Sequence, residues 1–381
     1  MNTLVKTVNT ITCDALIVGG GPAGSTCAWA LRRAGLDVMV IDAAVFPRDK
    51  VCAGWITPQV VADLSLDVEE YRQGRTFQPI TGFRVGIIDG REEIQTGYGH
   101  QVSYGIRRCE FDHFLLQRSG ARVKAGTPVT SIRSTGKEWI VNDTIRTPLL
   151  IGAGGHFCPV ARLMNGPMSA ASVVVAQEAE FPIESTGVPS CAVEGEAPEL
   201  YFCRDLKGYG WCFRKGGYLN VGLGRLDRRS LPRATAEFVA FLIAKAKISQ
   251  HTAPRWRGHA YSVYDSPHRR VVDFGVMLVG DAAALAYPES GEGIRPAVES
   301  GLLAAEAIIA AKGQYTRNRL ATYEKRLQAR FGTGSVSSAL SRIVPAGFGA
   351  VVARPLLATP AFVRHVVLDR WFLHRHQPAL G

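Results

Sequence analysis

The run Gly19-Gly20-Gly21-Pro22-Ala23-Gly24 is the clearest chemical signal in the chain. Glycines in GxGxxG spacing at a strand-to-helix turn suit a pyrophosphate. Gly19 permits the tight turn, Gly21 lets the backbone approach the phosphates, and Gly24 permits close helix–strand packing. Pro22 and Ala23 open the helix, whose unpaired N–H groups and dipole favour an anion. Asp42, followed by Ala43, ends the next apolar run and is placed to accept hydrogen bonds from a ribose. A second signal lies far downstream. Gly280-Asp281 closes an apolar run, and Gly291-Glu292-Gly293-Ile294 leads into a helix. Asp281 suits a ribityl hydroxyl, and the N–H groups at 291–294 suit a phosphate or the electron-rich edge of a flavin.

Other residues carry two readings each. Tyr209, Trp211 and Phe213 share one face of a strand, because the side-chain period is two. They form either an apolar wall for a hydrophobic ligand or an ordinary sheet core. Cys52 is either a thiol able to give a proton to carbon or a small packing residue. Lys50 pairs with cofactor or substrate, or is solvated, and solvation is the expected state. His156 and Glu292 sit beside probable cofactor loops as further acid–base candidates.

These residues need elements to hold them. Residues 13–18, a helix from about Pro22 to Ala34 and residues 37–42 make a βαβ unit. Antiparallel strands are expected over 80–104 and a helix over 107–119. A strand is expected at 148–155, and a strand-rich stretch covers 165–230. A helix follows at 233–248, then a buried strand at 276–281, a small-residue helix at 296–312, and a helical tail at 331–381 broken by Pro345, Pro355 and Pro360. The tail motif PAFVRHVVLDRWFLHRH is either an amphipathic membrane-surface helix or a helix docked on the body.

Bulk properties narrow the class. The chain has 381 residues, 46% apolar and 20% charged, which is globular. Its formal net charge of +11 is scattered, with no nucleic-acid-binding motif, so no nucleic-acid partner is expected. The eight cysteines show no metal spacing, so no metal is expected and the thiols are read as reduced. No signal peptide and no long apolar stretch is seen, and the expected location is cytoplasmic, with peripheral membrane contact through the C-terminus left open.

The motifs together resemble the geranylgeranyl reductase family of FAD-dependent oxidoreductases, within the para-hydroxybenzoate-hydroxylase-like superfamily. GDAA-x4-P-x2-GEGI resembles that family's second FAD motif. Lys50-Val51-Cys52-Ala53-Gly54 resembles its Cys-Gly segment near the flavin. Arg108, ahead of Phe111-Asp112, resembles the R-x-x-F-D helix start whose arginine contacts FAD. Tyr209-x-Trp211-x-Phe213 followed by Gly222-x-Gly224 resembles YxWxFP-x7-GxG, with Leu206 and Arg214 where the family has proline. The middle motif, typically Asp-Gly-x-x-Ser-x-x-Arg, reads Gly154-Gly155-His156-Phe157-Cys158-Pro159-Val160-Ala161-Arg162, without the aspartate or serine.

The resemblance implies an α/β fold: a Rossmann-like parallel FAD-binding sheet, a second, mostly antiparallel substrate-binding sheet, and a helical C-terminus. The expected division is 1–75, 104–162 and 270–330 for FAD, 76–103 and 163–269 for the substrate and cap, and 331–381 for the tail. The implied activity is reduction, or formation, of a carbon–carbon double bond in a hydrophobic, isoprenoid-type substrate. FAD is fed by NADPH, NADH or an electron-donor protein. The alternatives are an FAD monooxygenase or flavin halogenase on an aromatic or polyketide-like substrate, and a non-redox FAD-binding protein. Oligomeric state is left open.

Overall fold

The computed structural model describes residues 10–90, 92–167, 173–186, 191–251, 255–262, 269–332 and 354–380. Ala15–Val18 is wholly buried and sits mid-sheet. It pairs in parallel with Val38–Ile41 on one side and Leu150–Gly152 on the other. Val276–Leu278 and Arg122–Lys124 extend this sheet in parallel, and Val272–Asp273 closes one edge antiparallel. Such strands read as unbroken apolar runs because both faces are covered. The helices Pro22–Arg33, Ile294–Ala311 and Arg317–Phe331 share one core with it, from Leu16 and Val40 to Leu303 and Tyr323. Gly301 makes the close crossing possible: a Cβ there would stand 2.6 Å from the Ala23 carbonyl oxygen.

The second sheet has seven strands in the order Arg257–Ser262, Val173–Pro182, Tyr218–Arg225, Gly208–Lys215, Glu199–Phe202, Gly82–Ile87 and Glu93–Gly97. Only the Glu199–Phe202 and Gly82–Ile87 pair is parallel. Side chains alternate between two cores. Tyr201, Cys212, Val221 and Leu223 pack with Phe238 and Phe241 of the helix Leu231–Ala244. Phe83, Leu200, Phe202, Trp211 and Phe213 pack with the C-terminal segment.

That segment forms a helix at Pro360–Phe362, which continues with i→i+5 hydrogen bonds over Val363–Phe372. Its apolar residues Val363, Val367, Leu368, Phe372 and Leu373 are buried, so the segment is a helix docked on the body. Pro345 and most of 331–353 lie outside the described residues. Among the described residues no helix is long and apolar enough to cross a membrane.

Two features differ from expectation. Phe77–Ile80 does not join the large sheet. It pairs with Ser103–Ile106, which also pairs with Trp55–Ile56, in a separate small sheet. A four-stranded sheet of Ile11–Thr12, Ile145–Thr147, Trp139–Val141 and Ile132–Ser134 had no counterpart in the sequence reading. Its strands are two or three residues long, too short to show a period.

Candidate active site

The glycine turn behaves as its spacing requires. Gly19 has φ +114°, in the region open to glycine, and a Cβ there would collide with the Ala153 carbonyl. A Cβ on Gly24 would collide with the Gly19 carbonyl, so the helix lies directly on the turn. The helix begins at Pro22 with Gly21 as its cap and no side-chain cap bond, leaving its first N–H groups facing open space. Asp42 stands at the end of its strand. Its two oxygens accept the Gly20 and Ala44 N–H groups, each at 2.8 Å, which aims the carboxylate along the turn.

The downstream loop meets the same space. Gly293 caps the helix Ile294–Ala311, again with no side-chain cap bond. Gly280, Asp281, Gly291, Gly293 and Ile294 stand near Gly21, Pro22 and Ala23 around one cavity of about 490 Å³ (Gly280 through its neighbour: a Cβ on it would touch Ala23 at 2.9 Å). Gly19, Asp42, Ala43, Cys52, Arg108, Tyr209 and Trp211 line the same cavity. Residues scattered from 19 to 294 thus converge on one volume.

Arginines mark its anionic end. Buried Asp112 accepts both Nε and Nη2 of Arg108, at 2.7 and 2.8 Å, and lies 3.2 Å from Nη2 of Arg48. Arg48 lines the cavity over Gly21, and its Nη1 is buried without a hydrogen-bond partner among the described residues. Burying a guanidinium nitrogen unpaired is costly. An uncapped helix end, a glycine cradle and an unpaired arginine nitrogen fit a pyrophosphate.

The opposite end is apolar and aromatic. Trp55, Ala176, Tyr209 and Trp211 line it. The Tyr209 hydroxyl donates to the Ser290 carbonyl, and the Trp211 indole donates to Asn220 Oδ1 at 2.7 Å, so both rings are fixed. Phe213 faces the core instead, 5.0 Å from the Trp55 ring. The shared aromatic face is therefore both wall and core.

Lys50 is not solvated, contrary to expectation. It lines the cavity with its Nζ 2.6 Å from His259 Nε2. Burial lowers Lys50 to about 8. Burial, and then Lys50 itself, push His259 down to about 3, so a neutral imidazole accepts from the ammonium. Sequence could not pair them, since 209 positions separate the two.

Cys52 lies half-buried on the cavity wall, and beneath it runs a polar network that sequence reading missed. The Cys52 N–H donates to Glu178 Oε2, and its carbonyl accepts from Asn220 Nδ2 at 3.3 Å. Lys215 binds the Ala53 carbonyl at 3.0 Å and Glu180 at 2.6 Å. Burial pushes Glu180 up, but Lys215, Arg107 and Asn220 outweigh it and hold its carboxyl at about 2. Among the described residues Glu178 has no such cation in contact, and burial outweighs the more distant Lys215 and raises it to about 8. The polar residues 178, 180 and 220 alternate along apolar strands, which was the only available signal.

Of the remaining candidates, Glu292 lines the cavity. Its Oε1 accepts the Arg295 N–H at 2.8 Å while its Oε2 is buried without a partner, and burial raises it to about 7. His156 faces Ser262 at 3.5 Å beside the cavity, and burial lowers it.

Comparison with known proteins agrees with this geometry. An FAD binding domain family matches residues 12–333. The menaquinone reductase of Mycobacterium tuberculosis (strain ATCC 25618 / H37Rv) is 30% identical over 327 residues, 77% of this chain and 76% of that protein. The digeranylgeranylglycerophospholipid reductase of Methanothrix thermoacetophila is 28% identical over 341 residues, 84% of each chain. A crystal structure of a geranylgeranyl bacteriochlorophyll reductase-like protein from Thermoplasma acidophilum superposes with a TM-score of 0.78 at 20% identity, covering 97% of this chain and 99% of that one. With the glycine cradle, the converging loops and this breadth of similarity together, the chain belongs to the geranylgeranyl reductase family of FAD-dependent oxidoreductases.

Proposed function

We propose that the enzyme reduces, or in reverse forms, a carbon–carbon double bond in a hydrophobic substrate of isoprenoid type. The observation that carries this reading is the continuity of the cavity: the dinucleotide cradle opens directly onto the wall of Trp55, Tyr209 and Trp211. The relatives' names, which point to quinone and prenyl-lipid reductases, support the same substrate class.

In this reading Gly19, Gly21, Pro22, Ala23 and Gly24 hold the pyrophosphate with Arg48. Asp42 and Ala43 hold the adenosine ribose. Arg108, Gly280, Asp281, Gly291, Gly293 and Ile294 hold the rest of the cofactor. Bound FAD supplies the hydride. Tyr209 and Trp211 hold the alkene flat and exclude water. Cys52 gives a proton to the alkene carbon next to the one receiving hydride, and solvent restores it.

Anaerobic absorbance during addition of NADH and then NADPH tests the donor. Bleaching of an oxidised-flavin band identifies a nicotinamide donor, and bleaching by dithionite alone identifies another carrier. Mass spectrometry of a prenylated quinone or prenyl lipid after turnover then reads the gain of two hydrogens. A gain of oxygen or halogen instead, or product formed with no change in flavin redox state, overturns the reading.

A further inference from the structure

We propose that Glu178 is a proton-bearing positioning residue whose loss of a proton tightens the Cys52–Gly54 segment against the substrate sheet. The inference rests on the reading that this segment walls the flavin and substrate cavity.

The bonds around Asn220 lead to it. The Trp211 indole is a donor only, so the Asn220 atom that meets it at 2.7 Å is the carbonyl oxygen. The Asn220 NH2 group then faces the Cys52 carbonyl at 3.3 Å, Glu178 Oε1 at 3.2 Å and Glu180 Oε2 at 3.1 Å. Lys215 already donates to Glu180 Oε2 at 2.6 Å, which leaves the two amide hydrogens for the Cys52 carbonyl and Glu178. One amide thus ties Glu178, the Cys52 segment and the Trp211 ring together.

The surrounding charges say which carboxyl holds it. Glu180 lies on the same strand and has Lys215 at 2.6 Å and Arg107 at 2.8 Å. Lys215 comes from the Gly208–Lys215 strand and is 1% exposed, so its charge is committed to Glu180. On the opposite neighbour, Arg257 pairs in register with Glu178 but is taken by Asp49. From the loop side, the Cys52 N–H faces Glu178, and Lys50 is held by His259. Glu178 is 7% exposed. Both cations contact Glu180, and Lys215 reaches Glu178 only through space, so burial outweighs it there and the proton falls to Glu178.

The consequence reaches the cavity by two routes. An ionised Glu178 accepts the Cys52 N–H as a charge-assisted hydrogen bond, which is stronger than the neutral one. The same change strengthens the bond that Glu178 accepts from Asn220, and Asn220 holds the Trp211 ring. The proton on Glu178 thus sets how firmly Cys52 and Trp211 are placed, although Glu178 itself lies behind the wall.

The test uses the FAD-loaded enzyme and the apoprotein, and reads no turnover. Cys52 alkylation by iodoacetamide is followed by peptide mapping between about pH 6 and 10, in wild type and in E178Q, which mimics the neutral acid. The Cys52 pKa is read from each profile and the wild-type to E178Q ratio is taken per thiolate, so an effect of the Glu178 charge on the thiol's ionisation is not counted as positioning. The expected ratio falls at least about fivefold as pH rises through the titration of Glu178, the difference between a neutral and a charge-assisted bond. A flat ratio overturns the proposal. Infrared spectra provide the second measurement. Wild type should show a protonated-carboxyl band lost over the same pH range, E178D should keep a shifted one, and E178Q should lack it. If E178Q does not fold, absence of that band in wild type overturns the proposal by itself. Because the apoprotein reports the same transition, failure of the flavin-cavity reading leaves this result standing, and the two failures are distinguishable.

Discussion

Glu178 and Glu180 lie two positions apart on one strand and titrate in opposite directions, because one has cations and the other does not. The sign for Glu178 follows from linkage. Its folded pKa is raised above the ordinary 4.5 to about 8, so its contribution to stability is full below about 4.5 and is lost as pH rises toward 8. E178Q escapes that loss. Its unfolding free energy relative to wild type, read from denaturant unfolding, should climb between about pH 5 and 8 and level off above, with a slope of at most about 1.4 kcal/mol per pH unit. Glu180 behaves oppositely. Its stabilisation is present above the ordinary carboxylate range and lost as pH falls toward about 2, so the cost of E180Q should shrink on acidification. At Cys52 the expected effect is chemical. C52A should lower the rate of alkene reduction by about 10²-fold or more while leaving dithionite bleaching of the flavin intact. An unchanged rate assigns the proton to water.

At the scale of elements, the C-terminal helix does more than end the chain. Phe372 is fully buried, 5.2 Å from the Tyr209 ring and 5.7 Å from Trp55. It backs the Tyr209 and Trp55 rings that line the cavity. F372A should cost about 3–5 kcal/mol, read from denaturant unfolding, with the wall rings losing their support. The segment after the helix is anchored by Arg295. This residue is wholly buried, pairs with Glu299 at 2.7 Å, and donates to the carbonyls of His374, Gln377 and Pro378. Arg295 directly follows the GEGI loop, so the tail and a cofactor loop share one support. Glu299 also pairs with Arg330 at 2.6 Å, so R295M does not strand its charge. The variant instead removes the donors to three tail carbonyls and should cost about 3–5 kcal/mol, read from denaturant unfolding.

At the scale of the molecule, the cavity joins segments that are distant in sequence. The cavity draws on residues from Val18 to Ala297 and on both large sheets. FAD should therefore stabilise the whole chain by mass action, by about 2.7 kcal/mol at a hundredfold excess over Kd. A melting temperature that does not respond to FAD would show that the native chain does not bind it under those conditions.

The local elements were legible because their causes are local. GxGxxG needs a turn that only glycine makes, and a strand buried on both faces needs an unbroken apolar run. The Arg108–Arg118 helix and the strands at Val173–Pro182, Gly208–Lys215 and Tyr218–Arg225 stand close to where periodicity put them. The paired glycine loops, Asp42, Asp281 and the aromatic face were likewise visible as motifs. What no spacing could show was partnership across the chain. Lys50 reads as a surface lysine until His259 is beside it, and Glu178 reads as the polar face of a strand until Cys52 is laid on it. Burial and charge set the state of such groups, and both are properties of what the fold brings near. The sequence by itself determined a dinucleotide turn, a sheet to carry it and an aromatic strand. The tertiary structure alone decided which acid keeps its proton, because that depends on which carboxylate the buried lysine reaches.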